Sequence, residues 1–161
     1  VLNIVDDIIE CVSVFSDFAL FSFASFAPLR EIPYLLMTEN EISRIVVDRA
    51  LKVHKTVGPG LLESVYTTAL AYELRKSGLF VSLETGIPVI YDGINMEMGF
   101  RADIIAGGKV IVEVKSIEAL APIHGKILLT YLRFAEMKLG LLINFNVELI
   151  KDGIKRVVNN L

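Results

Sequence analysis

The sequence predicts an α/β domain, a mixed β-sheet flanked by helices. Three observations predict it. Two stretches of helical period fill residues 40–76. A run of β-rich segments follows, punctuated by Asp92-Gly93 and Gly107-Gly108. A helix opened by Pro122 then precedes the nearly continuous apolar run Leu139–Phe145. With 161 residues the chain suits one domain, large enough to bury a core without covalent staples.

Residues 1–36 stand apart. They hold Arg30 as their sole basic residue against Asp6, Asp7, Glu10, Asp17 and Glu31. The segment from Cys11 to Leu29 is rich in Phe, Ala and Ser and is about the length of a membrane span. Asp17 inside it is costly in lipid, and the flank before it is acidic where a signal peptide wants Lys or Arg. The segment is read as an atypical N-terminal extension, non-native or disordered, and not as a span. Met37-Thr38-Glu39-Asn40 reads as a start followed by a helix cap, so the domain is expected over 37–161.

The elements follow in order. Ile42, Ile45, Val46, Ala50 and Val53 repeat at helical spacing, with Thr38 or Asn40 as cap. Gly58-Pro59-Gly60 breaks the chain. A second helix is expected from Leu61 to about Lys76, with Leu62, Val65, Ala69 and Tyr72 as its apolar stripe and Gly78 as its stop. Strands are expected at Phe80–Leu83 and Ile87–Tyr91, turning at Asp92-Gly93, and at Phe100–Ile105 and Val110–Lys115. Pro122 opens a helix running through Tyr131 to about Met137. Leu139–Phe145 reads as a buried strand. Val147–Ile150 and Ile154–Val158 read as a closing hairpin around Asp152-Gly153.

Charge narrows the function. The net charge is −3, and the acidic extension accounts for it, leaving 37–161 close to neutral. No bulk basic field advertises nucleic acid, so phosphate binding needs a local patch or a metal. The lone Cys11 excludes an internal disulfide and a Cys-based zinc site, and it fits a reducing compartment; a cytoplasmic location is expected.

The sharpest chemical feature is Asp103 with Glu113-Val114-Lys115 ten residues on. Residues two apart on a strand share a face, so Glu113 and Lys115 project together. Register decides whether Asp103 joins them. A two-residue loop at Gly107-Gly108 pairs Asp103 with Val112 and puts Glu113 on the opposite face. A three-residue loop, Gly107-Gly108-Lys109, pairs Asp103 with Glu113. Two facing carboxylates repel unless a hard cation lies between them. Spacing alone equally describes an exposed Glu/Lys pair on the wet face of a hairpin.

Asp103 with Glu113-Val114-Lys115 resembles the PD-(D/E)XK nuclease motif, with Ala102 at the proline position. Gly60-Leu61-Leu62-Glu63-Ser64-Val65-Tyr66 resembles the signature of the GxxExxY proteins, a branch of that superfamily. The likeness extends through Phe100-Arg101-Ala102-Asp103, the run Gly140 to Phe145, and Lys151 to Arg156. It covers 37–161 and none of 1–36. The resemblance implies a restriction-endonuclease-like core and Mg²⁺- or Mn²⁺-dependent phosphodiester hydrolysis of DNA or RNA. It implies Glu63, Asp103 and Glu113 as metal ligands, with Lys115 completing the catalytic set. Glu63 near a helix start also suits the helix dipole. Tyr66, three residues on, is expected to bond Glu63 or to pack; His54 is a phosphate-contact candidate. Tyr66, His54 and Tyr131 are the expected substrate-binding residues. Relatives pair a Gln with the tyrosine one helical turn later, and here Ile127 precedes Tyr131. Lys126 is a poor substitute, because one residue along a helix turns about 100°. This departure supports the alternative, a catalytically inactive module of the same fold that binds nucleic acid or protein. No small-molecule cofactor is expected.

Overall fold

The computed structural model describes residues 33–161, so the expectations for residues 1–32 lie outside it. Among the described residues five strands form one sheet in the order β1-β2-β3-β4-β5: β1 (Val81–Tyr91), β2 (Ile94–Ala106), β3 (Val110–Lys115), β4 (Leu139–Asn144) and β5 (Ile154–Val158). The β3–β4 pair is parallel and the other three are antiparallel, which is the mixed sheet the sequence predicts.

The helical turn α1 (Pro33–Leu36) already packs on the domain. The Tyr34 ring stacks on Phe80 at 6.1 Å, and Lys109 Nζ donates to the carbonyls of Leu35 (2.9 Å) and Met37 (2.7 Å). The last four residues of the expected extension therefore contact the domain. Helix α2 (Glu39–Val57) starts at a reciprocal cap. Glu41 N–H donates to Thr38 Oγ1, and Thr38 N–H donates to Glu41 Oε2. Among the described residues no helix is long and apolar enough to cross a membrane.

Helices α2 and α3 (Glu63–Lys76) cover one face of the sheet, and α4 (Pro122–Phe134) covers the other. On the first face Ile42, Val46, Leu70 and Leu74 bury against Ile104, Val112, Leu141 and Phe145. On the second, Leu128 and Leu132 bury against Ile105, Ile111 and Leu142. Strand β4 is buried along its whole length, hence its unbroken apolar sequence.

Four expectations need correction. Helix α3 buries Tyr66, Leu70, Ala71 and Leu74, while Leu62, Val65 and Tyr72 are exposed. The helix carries two apolar stripes with one tyrosine each, and the one holding Leu70 and Leu74 took the core. The segments expected at 80–83 and 87–91 are one long strand, β1. It tolerates Pro88 because it lies at the sheet edge, with register shifts on either side of that proline. Helix α4 ends at Phe134, and a left-handed Glu136 follows. The closing hairpin is absent among the described residues: the short helix α5 (Ile150–Gly153) leads into β5, which pairs with β4.

Gly153 shows why that connection stays tight. A Cβ there would lie 2.2 Å from the Asn144 carbonyl oxygen, a backbone atom that cannot swing aside. Gly153→Ala is expected to lower stability by about 1–3 kcal/mol, the usual cost of overpacking, and thermal unfolding checks it.

Candidate active site

Strands β2 and β3 build the site. Gly107 and Gly108 both take positive φ (58° and 67°), and with Lys109 they make a three-residue turn. The ladder then reads Ala106↔Val110, Ile105↔Ile111 and Ile104↔Val112. One step further, the same register sets Asp103 opposite Glu113. Regular pairing stops just there. Val114 N–H donates to Asp103 Oδ2 (2.9 Å), so a carboxylate takes the place of a ladder carbonyl. On its other side Asp103 also lacks a ladder partner: Leu83↔Ile104 and Thr85↔Ala102 flank a gap at Glu84, whose φ is 49°. The acid thus occupies a break in the sheet, where its side chain reaches groups that strand pairing would otherwise engage.

Glu113 and Lys115 alternate with the buried Val112 and Val114 and project together. Lys115 Nζ donates to Glu113 Oε1 (2.8 Å), to the Val114 carbonyl (3.0 Å) and, more loosely, to Glu63 Oε1 (3.5 Å). The Glu113 side chain is 12% exposed and that of Glu63 is 43% exposed, so Glu63 stands at the rim. Glu63 is the first residue of α3, and the helix start is tied to the end of β3: Ser116 Oγ donates to the Leu61 carbonyl (2.6 Å).

Electrostatics couple the group. Burial pushes the Glu113 carboxyl up; the Lys115 hydrogen bond opposes this and the Asp103 charge adds to it. Burial also raises Asp103, against the Val114 N–H. Burial works against the charge on Lys115, yet the bond to Glu113 and the charges of Glu113, Glu63 and Asp103 outweigh it, and its pKa is raised. One atom is conspicuous: Glu113 Oε2 is buried and, among the described residues, has no hydrogen-bond partner. Leaving a carboxylate oxygen so costs free energy.

Tyr131 also borders the site. Burial raises its phenol pKa, and the negative charge of Glu113 raises it further. Its ring lies flat on Phe100, with centroids 3.9 Å apart and planes at 5°. Ile127, one helical turn earlier, is 38% exposed.

Two of the expected substrate-binding side chains turn into the protein. Tyr66 is wholly buried and does not bond Glu63. Its hydroxyl donates to the Gly58 carbonyl (2.7 Å) and accepts from Leu61 N–H (3.0 Å), while its ring stacks on Phe145 at 4.5 Å. It packs, and it pins the loop before Glu63. His54 is 8% exposed, with Nε2 bonded to the Val147 carbonyl (2.8 Å), so it faces the interior.

Sequence reasoning missed Asn144. It is buried; its Oδ1 accepts from Ile117 N–H (3.1 Å) and its Nδ2 donates to the Ile117 carbonyl (2.8 Å). It thereby clamps the chain just past Lys115. The amide interrupting the apolar run Leu139–Phe145 was the available signal.

Among the described residues no three His, Cys, Asp or Glu side chains already converge as a cation cage. Asp103 lies opposite Glu113 in the β2–β3 register, and the Lys115 ammonium bridges Glu113 and Glu63. The donor set is nevertheless all oxygen, with one buried oxygen unpartnered, which suits a hard divalent cation such as Mg²⁺ or Mn²⁺.

A family model described as the PD-(D/E)XK nuclease superfamily matches residues 40–157. Comparisons with curated proteins and with solved structures returned no match.

Proposed function

This chain belongs to the PD-(D/E)XK nuclease superfamily, and from that premise we propose that Asp103, Glu113, Lys115 and Glu63 form a divalent-metal-dependent site for phosphodiester hydrolysis of nucleic acid. The run Gly60 to Tyr66 favours the GxxExxY branch within the superfamily. The observation that carries the reading is the buried, unpartnered Glu113 Oε2 beside Asp103.

Asp103 and Glu113 would hold Mg²⁺ or Mn²⁺, with Glu63 at the rim. A bound divalent ion neutralises a scissile phosphate and lowers the pKa of a water. Lys115 stays protonated through neutral pH because its pKa is raised. It therefore donates hydrogen bonds to an attacking water or a phosphate oxygen and does not serve as a base. Asn144 and Ser116 hold the chain around Lys115, so the ammonium is fixed before substrate arrives.

Metal titration with and without Glu113 tests this. Burial raises the Asp103 and Glu113 pKa values, so folding favours their protonated forms. In metal-free protein that contribution to stability is present below the ordinary carboxylate pKa. It is lost as pH rises through the raised values. Glu113→Gln is neutral at every pH and keeps the Glu113 part of it at pH 7. The metal-free variant is expected to melt no lower than wild type. Wild type should gain about 1.4 kcal/mol, roughly 3–5 °C in Tm, from an ion at tenfold its Kd. The variant should gain nothing and cleave neither DNA nor RNA. A wild type that shows neither a metal-dependent Tm nor cleavage would refute the proposal.

A second reading, a module of the same fold that binds nucleic acid or protein without turnover, is favoured by Ile127, which supplies no polar group one turn before Tyr131. Metal binding without cleavage of any single- or double-stranded substrate would select it.

A further inference from the structure

Gly125, Leu128 and Leu132 turn α4 toward the sheet. Beside them Ile123, Ile127, Tyr131 and Phe134 recur at spacings of four, four and three, a second stripe on the same helix. Three of its members are well exposed: Ile123 at 54%, Ile127 at 38% and Phe134 at 41%. Tyr131 is stacked on Phe100 of β2, and Phe134 stands tilted at 56° against Phe100, 6.4 Å away. Ile105 and Ile111, buried with Leu128 and Leu132 of α4, share their sheet face with Asp103 and Glu113 two residues away along β2 and β3, so this apolar wall borders the acids.

We infer that this wall, centred on Phe100, Tyr131 and Phe134, is a stacking surface for an unpaired nucleobase, so that the substrate is single-stranded nucleic acid. The inference rests on the nuclease reading above. A phosphate held at Asp103, Glu113 and Lys115 carries a nucleoside on each side, and one of them meets the site wall. That wall offers aromatic rings and no hydrogen-bonding amide, which suits the π-face common to every base. Bases within a duplex are stacked on one another, and flipping one out costs a few kcal/mol. Charge points the same way. A duplex-tracking surface needs many cations, and residues 37–161 are close to neutral. The exposed Lys126 and Arg133 on the adjoining face of α4 are enough to accompany a single strand. Aromatic rings with a few flanking cations are the usual composition of such surfaces.

The test uses the full chain without divalent ions. Binding is measured to a fluorescent oligothymidylate of about 12 nucleotides, to the same strand with central abasic positions, and to a duplex. Wild type is expected to bind the base-bearing strand about 10-fold tighter than the abasic one, the effect of stacking one base or more, and to prefer it to the duplex. Phe134→Ala and Phe100→Leu should erase that difference with far-ultraviolet circular dichroism unchanged. The chain has no tryptophan, so Phe134→Trp should bind normally and show fluorescence quenching by the base-bearing strand alone. Equal binding of abasic and base-bearing strands, or indifference to Phe134→Ala, overturns the inference. So does a change of oligomeric state in these variants without a change in binding, since the stripe would then be a protein interface. No binding to any strand also overturns it. Metal-dependent cleavage without base dependence would sink the stacking surface and leave the nuclease reading standing. Base-dependent binding without cleavage would do the reverse.

Discussion

Lys115→Ala is expected to slow metal-dependent cleavage by roughly 100-fold or more while leaving divalent binding intact or tighter. Losing one preorganised electrostatic stabiliser typically costs that much in rate. The ammonium lies 2.8 Å from Glu113 Oε1 and 3.5 Å from Glu63 Oε1, so in the metal-free protein it is the cation among three acids. Removing it takes a like charge away from any ion held there, which favours binding by Coulomb's law. It also leaves the acids to repel one another. The metal-free variant should therefore melt lower than wild type, and its gain in Tm with Mg²⁺ or Mn²⁺ should be larger. Glu113→Ala separates the roles, because metal binding and cleavage should vanish together. Calorimetric titration beside single-turnover cleavage checks both variants. If Lys115→Ala abolishes metal binding as well, Lys115 shapes the ligand set and does not act on water or phosphate.

The largest effect on stability is expected at Tyr66. Its ring is wholly buried against Phe145, and its hydroxyl serves both Gly58 and Leu61. Tyr66→Ala should cost about 3–5 kcal/mol, as for other large aromatics cut from a core, and lower the melting temperature by roughly 10 °C or more. Tyr66→Phe removes the hydroxyl alone and should cost about 1–3 kcal/mol, since the Gly58 carbonyl and Leu61 N–H lose their partner. Below its melting temperature Tyr66→Phe should keep the wild-type KM, because both hydrogen bonds of the hydroxyl run to the protein's own backbone. A tenfold rise in KM would instead return Tyr66 to the substrate-binding set.

The sequence by itself determined the two leading helices, the strands through 100–105, 110–115 and 139–144, the mixed α/β class and the Glu113–Lys115 pair. These are local properties. A period of 3.6 or 2, a Gly-Gly turn and two residues on one strand face can be read without knowing what packs against them. The resemblance of Asp103 with Glu113-Val114-Lys115 to the PD-(D/E)XK motif also lives in the sequence, and the family match over 40–157 agrees with it at the level of the superfamily. Tertiary structure decided what depended on partners. Both loop lengths at Gly107-Gly108 were open, and the three-residue turn that brings Asp103 opposite Glu113 is the one adopted in a sheet whose Ile104 and Val112 share a core face. Helix α3 offered two apolar stripes, and Phe145, 79 residues from Tyr66 in the chain, selected the stripe that Tyr66 belongs to. His54 could have faced solvent, but the Val147 carbonyl drew it inward. Glu63 and Lys115 met where a helix start packs beside a strand end, with Ser116 bonded across the join. Each of these choices compares the burial or pairing of one side chain with that of another far away in sequence, and that comparison exists only once the chain has closed on itself.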